Sequence, residues 1–149
     1  MPVVIVFFAL IFNSVNGYIN GFHFGVIKPV YTISWLTDIR FIIGIILFIG
    51  GMVINWYSDK ILIALRTDSR NGYKIPQGFL FRYVSCPNFF GELIEWIGFA
   101  IMTWSLPAFA FVIWSFTNLI PRALDHHRWY HQTFENYPQN RRAIIPFLF

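Results

Sequence analysis

The chain has 149 residues, of which 56% are hydrophobic and only 12% are charged, whereas soluble domains average about 25% charged residues. That balance excludes an ordinary soluble fold of one domain, and the aromatic share of 21% suits a lipid-facing surface. The net charge of +4 comes from Lys and Arg residues scattered between apolar segments, so nucleic-acid binding, which needs clustered basic residues, is disfavoured. The one cysteine, Cys86, excludes an internal disulfide.

The first predicted element is a transmembrane helix over residues 2–25. Its apolar start lacks the charged segment of a signal peptide. Gly17, Gly21 and Gly25 fall on one helical face, where small residues let a second helix approach closely. We therefore expect helix–helix association through these three glycines.

The second predicted transmembrane helix covers residues 41–65 and contains the run FIIGIILFIGGMVINWY. Extended to residue 65, this apolar stretch is long enough to cross a bilayer. It also carries small residues that again offer close packing: Gly44, Gly50 and Gly51. Asn55, Asp59 and Arg66 share one face as the helix ends. Their residue types alone indicate a solvated helix end.

A loop rich in glycine and proline leads into the third apolar segment, residues 93–120. Five of the eleven basic residues lie between positions 60 and 82, and the tail beyond residue 120 is also basic, which indicates that both regions are cytoplasmic. Residues 93–120 must then enter the membrane and return, yet they give about 42 Å of helix against about 60 Å for two crossings. Two short limbs hinged at Leu106–Pro107 and one kinked crossing both stay open.

Residues 122–136 form a predicted amphipathic helix that carries His126, His127 and His131. No acid on this helix stands at a clear third-ligand position for zinc or iron, so we predict no metal site and favour interfacial or phosphate-binding histidines. The chain has no glycine-rich nucleotide-binding motif and no serine-hydrolase or zinc-protease signature. Residue chemistry alone thus indicates a polytopic membrane protein whose basic cytoplasmic face suits an anionic ligand.

Beyond this, several runs of the sequence resemble the C-terminal part of steroid 5α-reductases: TDIRF, NWYSDKIL, GYKIPQG, YVSCPNFFGELIEWIGFA, TWSLPAFAF, PRALDHHRWY and RRAIIPFLF. The resemblance covers nearly the whole chain. It implies an all-α fold, a polytopic transmembrane helical bundle that is the C-terminal portion of a seven-helix-type membrane reductase. It also implies a location in the endoplasmic reticulum, with the basic loop and the C-terminus in the cytoplasm.

The activity implied by the resemblance is the NADPH-dependent reduction of the Δ4 double bond of a 3-oxo steroid, in which hydride reaches C5 and a proton reaches C4. The expected partners are thus a 3-oxo-Δ4 steroid substrate and the lipid bilayer, and nucleic acid is not an expected partner. This chain would contribute mainly the cofactor-binding half. The position-wise match gives these candidate cofactor-binding residues: Asn55, Asp59, Arg66, Tyr73, Lys74, Asn88, Glu92, Trp96, Arg122, His126 and Tyr130.

The sequence departs from the family pattern at several positions. Phe79 replaces a second glycine after Pro-Gln, Lys74 stands where Arg is common, and Asp125 stands where a histidine is frequent. The Glu and Tyr that address the steroid carbonyl in the family lie in helices that precede the counterpart of Met1, so we assign no catalytic residue. We expect the chain to be a C-terminal fragment, an incomplete gene model or a shortened paralogue.

Two alternatives to a steroid reductase stay open at this point. Isoprenylcysteine methyltransferases share a similar membrane architecture and a His/Arg-rich C-terminal helix, and a preference for S-adenosylmethionine would support that function. The other alternative is a truncated, non-catalytic membrane paralogue that associates with a full-length reductase through its glycine faces.

Overall fold

The computed structural model describes residues 3–27, 31–68 and 73–148. Within them the regular structure is helical, and the one β-type contact is an isolated bridge between Val84 and Arg142. The all-α prediction is therefore confirmed for the described part of the chain. The α-helices in chain order are α1 (Val3–Phe22), α2 (Ile39–Asp68), α3 (Pro87–Thr103) and α4 (Leu106–Thr133).

Helix α2 has the features of a membrane-crossing helix. Among the described residues it is the one helix that is long and apolar enough to cross a membrane, judged by length and composition, with a mean hydropathy of 2.0 over an apolar window of 18 residues within Ile39–Arg66. Only 11% of its apolar window is buried, whereas a core helix of a soluble protein would be mostly buried. The amide of Arg40 donates to the Asp38 carboxylate at 2.8 Å, so Asp38 caps the start of the helix.

Helices α2 and α3 run antiparallel and make the most extensive contact in the molecule. Glycines on both helices bring the two backbones together. A Cβ on Gly91 of α3 would lie 2.5 Å from the backbone nitrogen of Asn55 on α2, and Cβ atoms on Gly44, Gly51 and Gly98 would clash with the opposite backbone in the same way. The close approach therefore requires glycine at these positions, which fixes the register of the two helices.

The segment predicted over residues 93–120 consists of two helices. Helix α3 ends at Trp104, which has a left-handed backbone with φ of 45°, and the extended Ser105 starts α4. The chain then folds back, so that the rings of Trp96 and Phe111 meet at 4.3 Å. Two limbs hinged near Leu106–Pro107 are therefore what the structure contains.

The predicted separate helix over residues 122–136 differs from the structure, because α4 continues through Pro121 without a break as far as Thr133. Leu119 and Ala123 are buried on either side of this proline, and both belong to one core cluster. Packing on both sides keeps the helix continuous, although Pro121 cannot donate a backbone hydrogen bond. The exposed position of Pro121 avoids a steric conflict with neighbouring elements.

The best-packed part of the core lies where α3 begins and α4 ends. The segment after α4 returns to the loop before α3, where the amide of Ser85 donates to the carbonyl of Arg142 at 2.8 Å and the amide of Cys86 donates to Ala143 at 3.1 Å. Ile144 is fully buried beneath this junction. The C-terminal segment thus fixes the loop that precedes α3.

Helix α1 contacts the remainder of the chain through aromatic packing against α4, where Phe12 stacks on Trp114 at 4.0 Å. A π-helical turn, His23–Ile27, follows α1. Residue 2 of the predicted span 2–25 lies outside the described residues, and the membrane crossing of α1 stays a prediction. A Cβ on Gly17, Gly21 or Gly25 would find no described atom within 4 Å. Among the described residues those glycines form no helix contact, and their association with a partner helix also stays a prediction.

Candidate cofactor-binding site

A cavity of about 410 Å³ opens where the end of α2, the loop before α3 and the end of α4 meet. Ligand pockets in proteins measure roughly 300–1,000 Å³, so this cavity has the size of a ligand site. Leu62 and Phe89 give it an apolar wall. The sequence-predicted residues that line it are Asp59, Arg66, Asn88, His126 and Tyr130.

A second cavity, of about 120 Å³, adjoins the first and shares Arg66, His126 and Tyr130 with it. Its wall adds Tyr73 and Lys74, two further residues from the predicted set. The structure therefore brings seven of the eleven predicted cofactor-binding residues to the walls of two connected cavities.

Polar contacts between helices fix the floor of the larger cavity. The Asn88 side chain donates to the Asp59 carboxylate at 3.2 Å, and the Asn55 side chain donates to the Asn88 carbonyl at 3.1 Å. Asn55 does not itself line either cavity. Its contact ties α2 to the first turn of α3, so Asn55 positions Asn88 and does not face the cavity.

The remaining predicted residues, Glu92, Trp96 and Arg122, also lie outside the two cavity walls. Glu92 interacts electrostatically with Asp59 and Arg122. These residues therefore form a second layer of charge next to the cavity. Their direct contact with a cofactor stays a prediction.

Tyr130 and Cys86 both line the cavity, and both side chains stay protonated. Burial raises the pKa of Tyr130 to about 12, so its hydroxyl is a neutral hydrogen-bond donor at working pH. Burial likewise raises the pKa of Cys86 to about 12, so the thiol is a poor nucleophile. The cavity therefore offers hydrogen bonds and charge, and neither of these two groups provides covalent chemistry.

Sequence reasoning missed a buried hydrogen-bonded cluster behind the cavity wall. The Ser85 hydroxyl lies 2.6 Å from Nδ1 of His127 and 2.7 Å from the Tyr137 hydroxyl, and Ser85 also lines the larger cavity. Tyr137 stacks on Tyr130 with ring centroids 5.1 Å apart. No motif signals this cluster, because its members come from a loop, a helix and the C-terminal segment.

The arrangement as a whole suits an extended, phosphate-bearing polar ligand. Arg66, Lys74 and His126 surround one side, and the Asp59–Asn88 pair lies on the other. Basic side chains bind phosphate groups, while amide and carboxylate side chains bind hydroxyl and amide groups. In the part of the chain that the structure describes, no three His, Cys, Asp or Glu side chains gather as metal ligands would.

Comparison with known proteins gives the family. A sequence model described as 3-oxo-5-alpha-steroid 4-dehydrogenase matches residues 1–149. The chain is 52% identical to 3-oxo-5-alpha-steroid 4-dehydrogenase 2 of Sus scrofa, in an alignment that covers 99% of this chain and 58% of that protein. It is 45% identical to 3-oxo-5-alpha-steroid 4-dehydrogenase 1 of Bos taurus, over 99% of this chain and 57% of that protein.

A plant protein, Steroid 5-alpha-reductase DET2 of Arabidopsis thaliana, is also 45% identical, over 99% of this chain and 57% of the relative. The chain thus spans somewhat more than half the length of the curated relatives it matches. These matches extend over the whole chain and confirm the resemblance inferred from the separate motifs. The chain belongs to the 3-oxo-5-alpha-steroid 4-dehydrogenase family.

Proposed function

We propose that this chain forms the NADPH-binding part of a membrane reductase that reduces the Δ4 double bond of 3-oxo steroids. When bound, NADPH supplies the hydride for C5 of the steroid, and a proton reaches C4. The observation that carries the proposal is the two-part polar cavity at the ends of α2 and α4, in a chain of this family. The steroid substrate follows from the names of the relatives.

The basic side of the cavity suits the phosphates of NADPH. Arg66 and Lys74 carry fixed positive charge beside His126. A guanidinium binds a phosphate with two parallel hydrogen bonds, whereas an ammonium acts as a point charge. We therefore assign the more directional phosphate contact to Arg66 and the supporting contact to Lys74.

The other side of the cavity suits the ribose hydroxyls and the carboxamide. Asp59 is an acceptor for a ribose hydroxyl, and Asn88 offers both a donor and an acceptor to an amide. The neutral Tyr130 hydroxyl adds a donor between the two sides. Leu62 and Phe89 supply apolar surface against which a flat ring can pack. As the family resemblance implies, we expect the Glu and Tyr that address the steroid carbonyl to come from outside this chain.

We also propose a polytopic arrangement in the endoplasmic reticulum membrane, with the cavity on the cytoplasmic side. In this arrangement α2 crosses the bilayer, whereas α3 and α4 enter it and return as an antiparallel pair. This places the basic loop and the C-terminal segment on one side, which agrees with the excess of Lys and Arg in both.

A thermal-shift titration of the detergent-purified chain with NADPH, NADH and S-adenosylmethionine tests the cofactor assignment. A ligand that binds only the folded chain at 100 times its Kd adds about 2.7 kcal/mol to the free energy of unfolding. We expect NADPH to raise Tm most, NADH less, and S-adenosylmethionine not at all.

The double variant Asp59→Asn/Asn88→Asp tests the site itself. It exchanges the two partners of the 3.2 Å hydrogen bond. This double variant keeps the pair but moves the charge, so the Tm gain with NADPH should fall while the Tm without ligand stays close to wild type. Selective stabilisation by S-adenosylmethionine would overturn the reductase assignment in favour of a methyltransferase. No stabilisation by any of the three ligands would reject a cofactor-binding role for this chain.

A further inference from the structure

A second concave surface lies apart from the cofactor cavities, between the loop before α3 and the segment after α4. This surface, the basic groove, has a volume of about 550 Å³ and is lined by Gln77, Phe79, Arg82, Tyr83, Asn140 and Arg141 among others. Its lining contains two arginines and no Asp or Glu. None of its residues lines either cofactor cavity, so the groove is a separate site.

Arg141 places a buried positive charge in the groove wall. Its side chain is only 6% exposed, and Nη1 donates to the neutral carbonyl of Pro76 at 3.0 Å. The guanidinium also lies 5.1 Å from the centroid of the Tyr137 ring, and its Nε has no hydrogen-bond partner. Among the described residues no carboxylate lies within ion-pair distance of it. A buried cation held only by neutral groups is costly. An anionic ligand in the groove would offset part of that cost.

In the proposed membrane arrangement, on which this step rests, the groove lies at the depth where α2 leaves the membrane. About 20 apolar residues cross the hydrocarbon layer, so a span that begins at Ile39 ends near Ser58. At that level the ring of Tyr57 meets the ring of Phe79, a groove residue, with centroids 4.8 Å apart. The residue before Tyr57 is Trp56, and the Lys60 ammonium lies 3.6 Å from the centroid of the Trp56 ring. Trp, Tyr and Lys at this position are typical of the membrane–water interface.

Exposed apolar side chains continue from the groove toward the C-terminus. The ring of Phe147 lies 5.4 Å from that of Tyr83, and Phe147 and Leu148 are 79% and 76% exposed. A soluble phosphate would use the arginines but would gain nothing from these apolar groups. A phospholipid uses both, because its headgroup and its acyl chains meet at this depth.

We propose that the basic groove binds the headgroup of an anionic phospholipid, with Arg82 and Arg141 at the phosphate and with Tyr83, Phe147 and Leu148 against the acyl chains. This site needs neither NADPH nor steroid, so it does not depend on the proposed enzymatic function. It would anchor the C-terminal segment, and with it the loop before α3, to the cytoplasmic leaflet.

The test compares the chain in nanodiscs of phosphatidylcholine alone with the chain in nanodiscs that also contain phosphatidylinositol. The expected result is a higher Tm with the anionic lipid. A basic residue near an anionic surface contributes about 1 kcal/mol, so Arg82→Gln should lower the apparent affinity for the anionic lipid about fivefold. Arg82→Lys, which keeps the charge, should retain most of it.

Arg128→Gln is the matched control, because Arg128 is an exposed arginine of α4 outside the groove. It should leave the lipid-dependent rise in Tm unchanged, and all variants should share the wild-type Tm in phosphatidylcholine. Equal losses for Arg82→Gln and Arg128→Gln would assign the effect to general surface charge and overturn the proposal. The same rise in Tm from inorganic phosphate in phosphatidylcholine nanodiscs would identify a soluble anion as the ligand. If neither phosphatidylinositol nor inorganic phosphate raises Tm, the proposed site is rejected.

Discussion

At the residue scale, the cofactor assignment depends most on Arg66, which among the described residues is the one arginine that lines both cavities. We predict that Arg66→Ala weakens NADPH binding roughly tenfold or more, because a hydrogen bond to a charged group contributes about 1.5–3 kcal/mol. If the contact is to the 2′-phosphate, NADH affinity should change much less. Fluorescence titration of both nucleotides measures the two ratios, and an equal loss for both would rule out recognition of the 2′-phosphate by Arg66.

The Ser85–His127–Tyr137 cluster predicts a specific dependence of stability on pH. Burial, with smaller contributions from His131 and Arg142, lowers the pKa of His127. The unfolded chain therefore binds a proton at this histidine more readily than the folded chain does. The free energy of unfolding should fall as the pH drops below the ordinary histidine pKa of about 6.5. At higher pH this loss of stability from His127 is absent.

The control for that prediction is His127→Asn, whose amide oxygen can still accept from the Ser85 hydroxyl but does not titrate. Chemical unfolding of both proteins across this pH range should give a smaller slope for the variant. The other histidines titrate in both proteins, so the difference between the two curves isolates His127. Identical curves would show that His127 does not couple protonation to folding.

At the element scale, the glycine contact between α2 and α3 yields the sharpest comparison. A Cβ on Gly51 would overlap the backbone of Glu95, whereas one on its neighbour Gly50 would meet nothing within 4 Å. Gly51→Ala should force the helices apart and lower the free energy of unfolding by about 1–3 kcal/mol or more. Gly50→Ala should be neutral or stabilise the helix by up to about 1 kcal/mol. Unfolding in mixed detergent micelles measures both, and equal Tm values for the two variants would contradict the close packing.

The glycines also show how far the sequence could predict the fold. The sequence indicated close packing at Gly17, Gly21 and Gly25, where the described chain makes no contact, and also on α2, where Gly44 and Gly51 do contact α3 but Gly50 does not. It did not identify the glycines of α3 that face them, Gly91 and Gly98. Spacing marks a small-residue face on one helix, but the packing depends on the partner helix. That partner, α3, carries the matching glycines in antiparallel register, which no local pattern reveals.

The length argument for residues 93–120 failed to choose between one crossing and two for a similar reason. It counted only the apolar residues, whereas α3 begins at Pro87 and α4 continues to Thr133 with 17 and 28 residues. Polar residues at the start of α3 and at the end of α4 extend the two helices beyond the apolar segment. Hydropathy alone therefore does not give these two helix ends.

At the scale of the whole molecule, the candidate site divides into a part that the sequence predicted and a part that it could not. The resemblance selected Asp59, Arg66 and Asn88, which reach the cavity because α2 and α3 are in fixed register. The sequence did not predict the roles of Ser85 and Tyr137, because their contact joins segments far apart in the chain. Family motifs therefore identify residues that we expect to touch a ligand, whereas the residues that support them are identified only from the three-dimensional packing.

The coverage of the relatives leads to a last prediction about the molecule as a whole. The cavity that suits NADPH is built within this chain, which spans 58% of its Sus scrofa relative, and the family resemblance leads us to expect the Glu and Tyr at the steroid carbonyl elsewhere in the full-length relatives. We therefore predict that the purified chain binds NADPH but does not oxidise it when a 3-oxo-Δ4 steroid is added. Absorbance at the NADPH band measures turnover, with the full-length relative as the positive control. Steroid-dependent oxidation by this chain would show that its own residues complete the catalytic site, and the search for a proton donor would then move to the neutral Tyr130 hydroxyl and to Glu92.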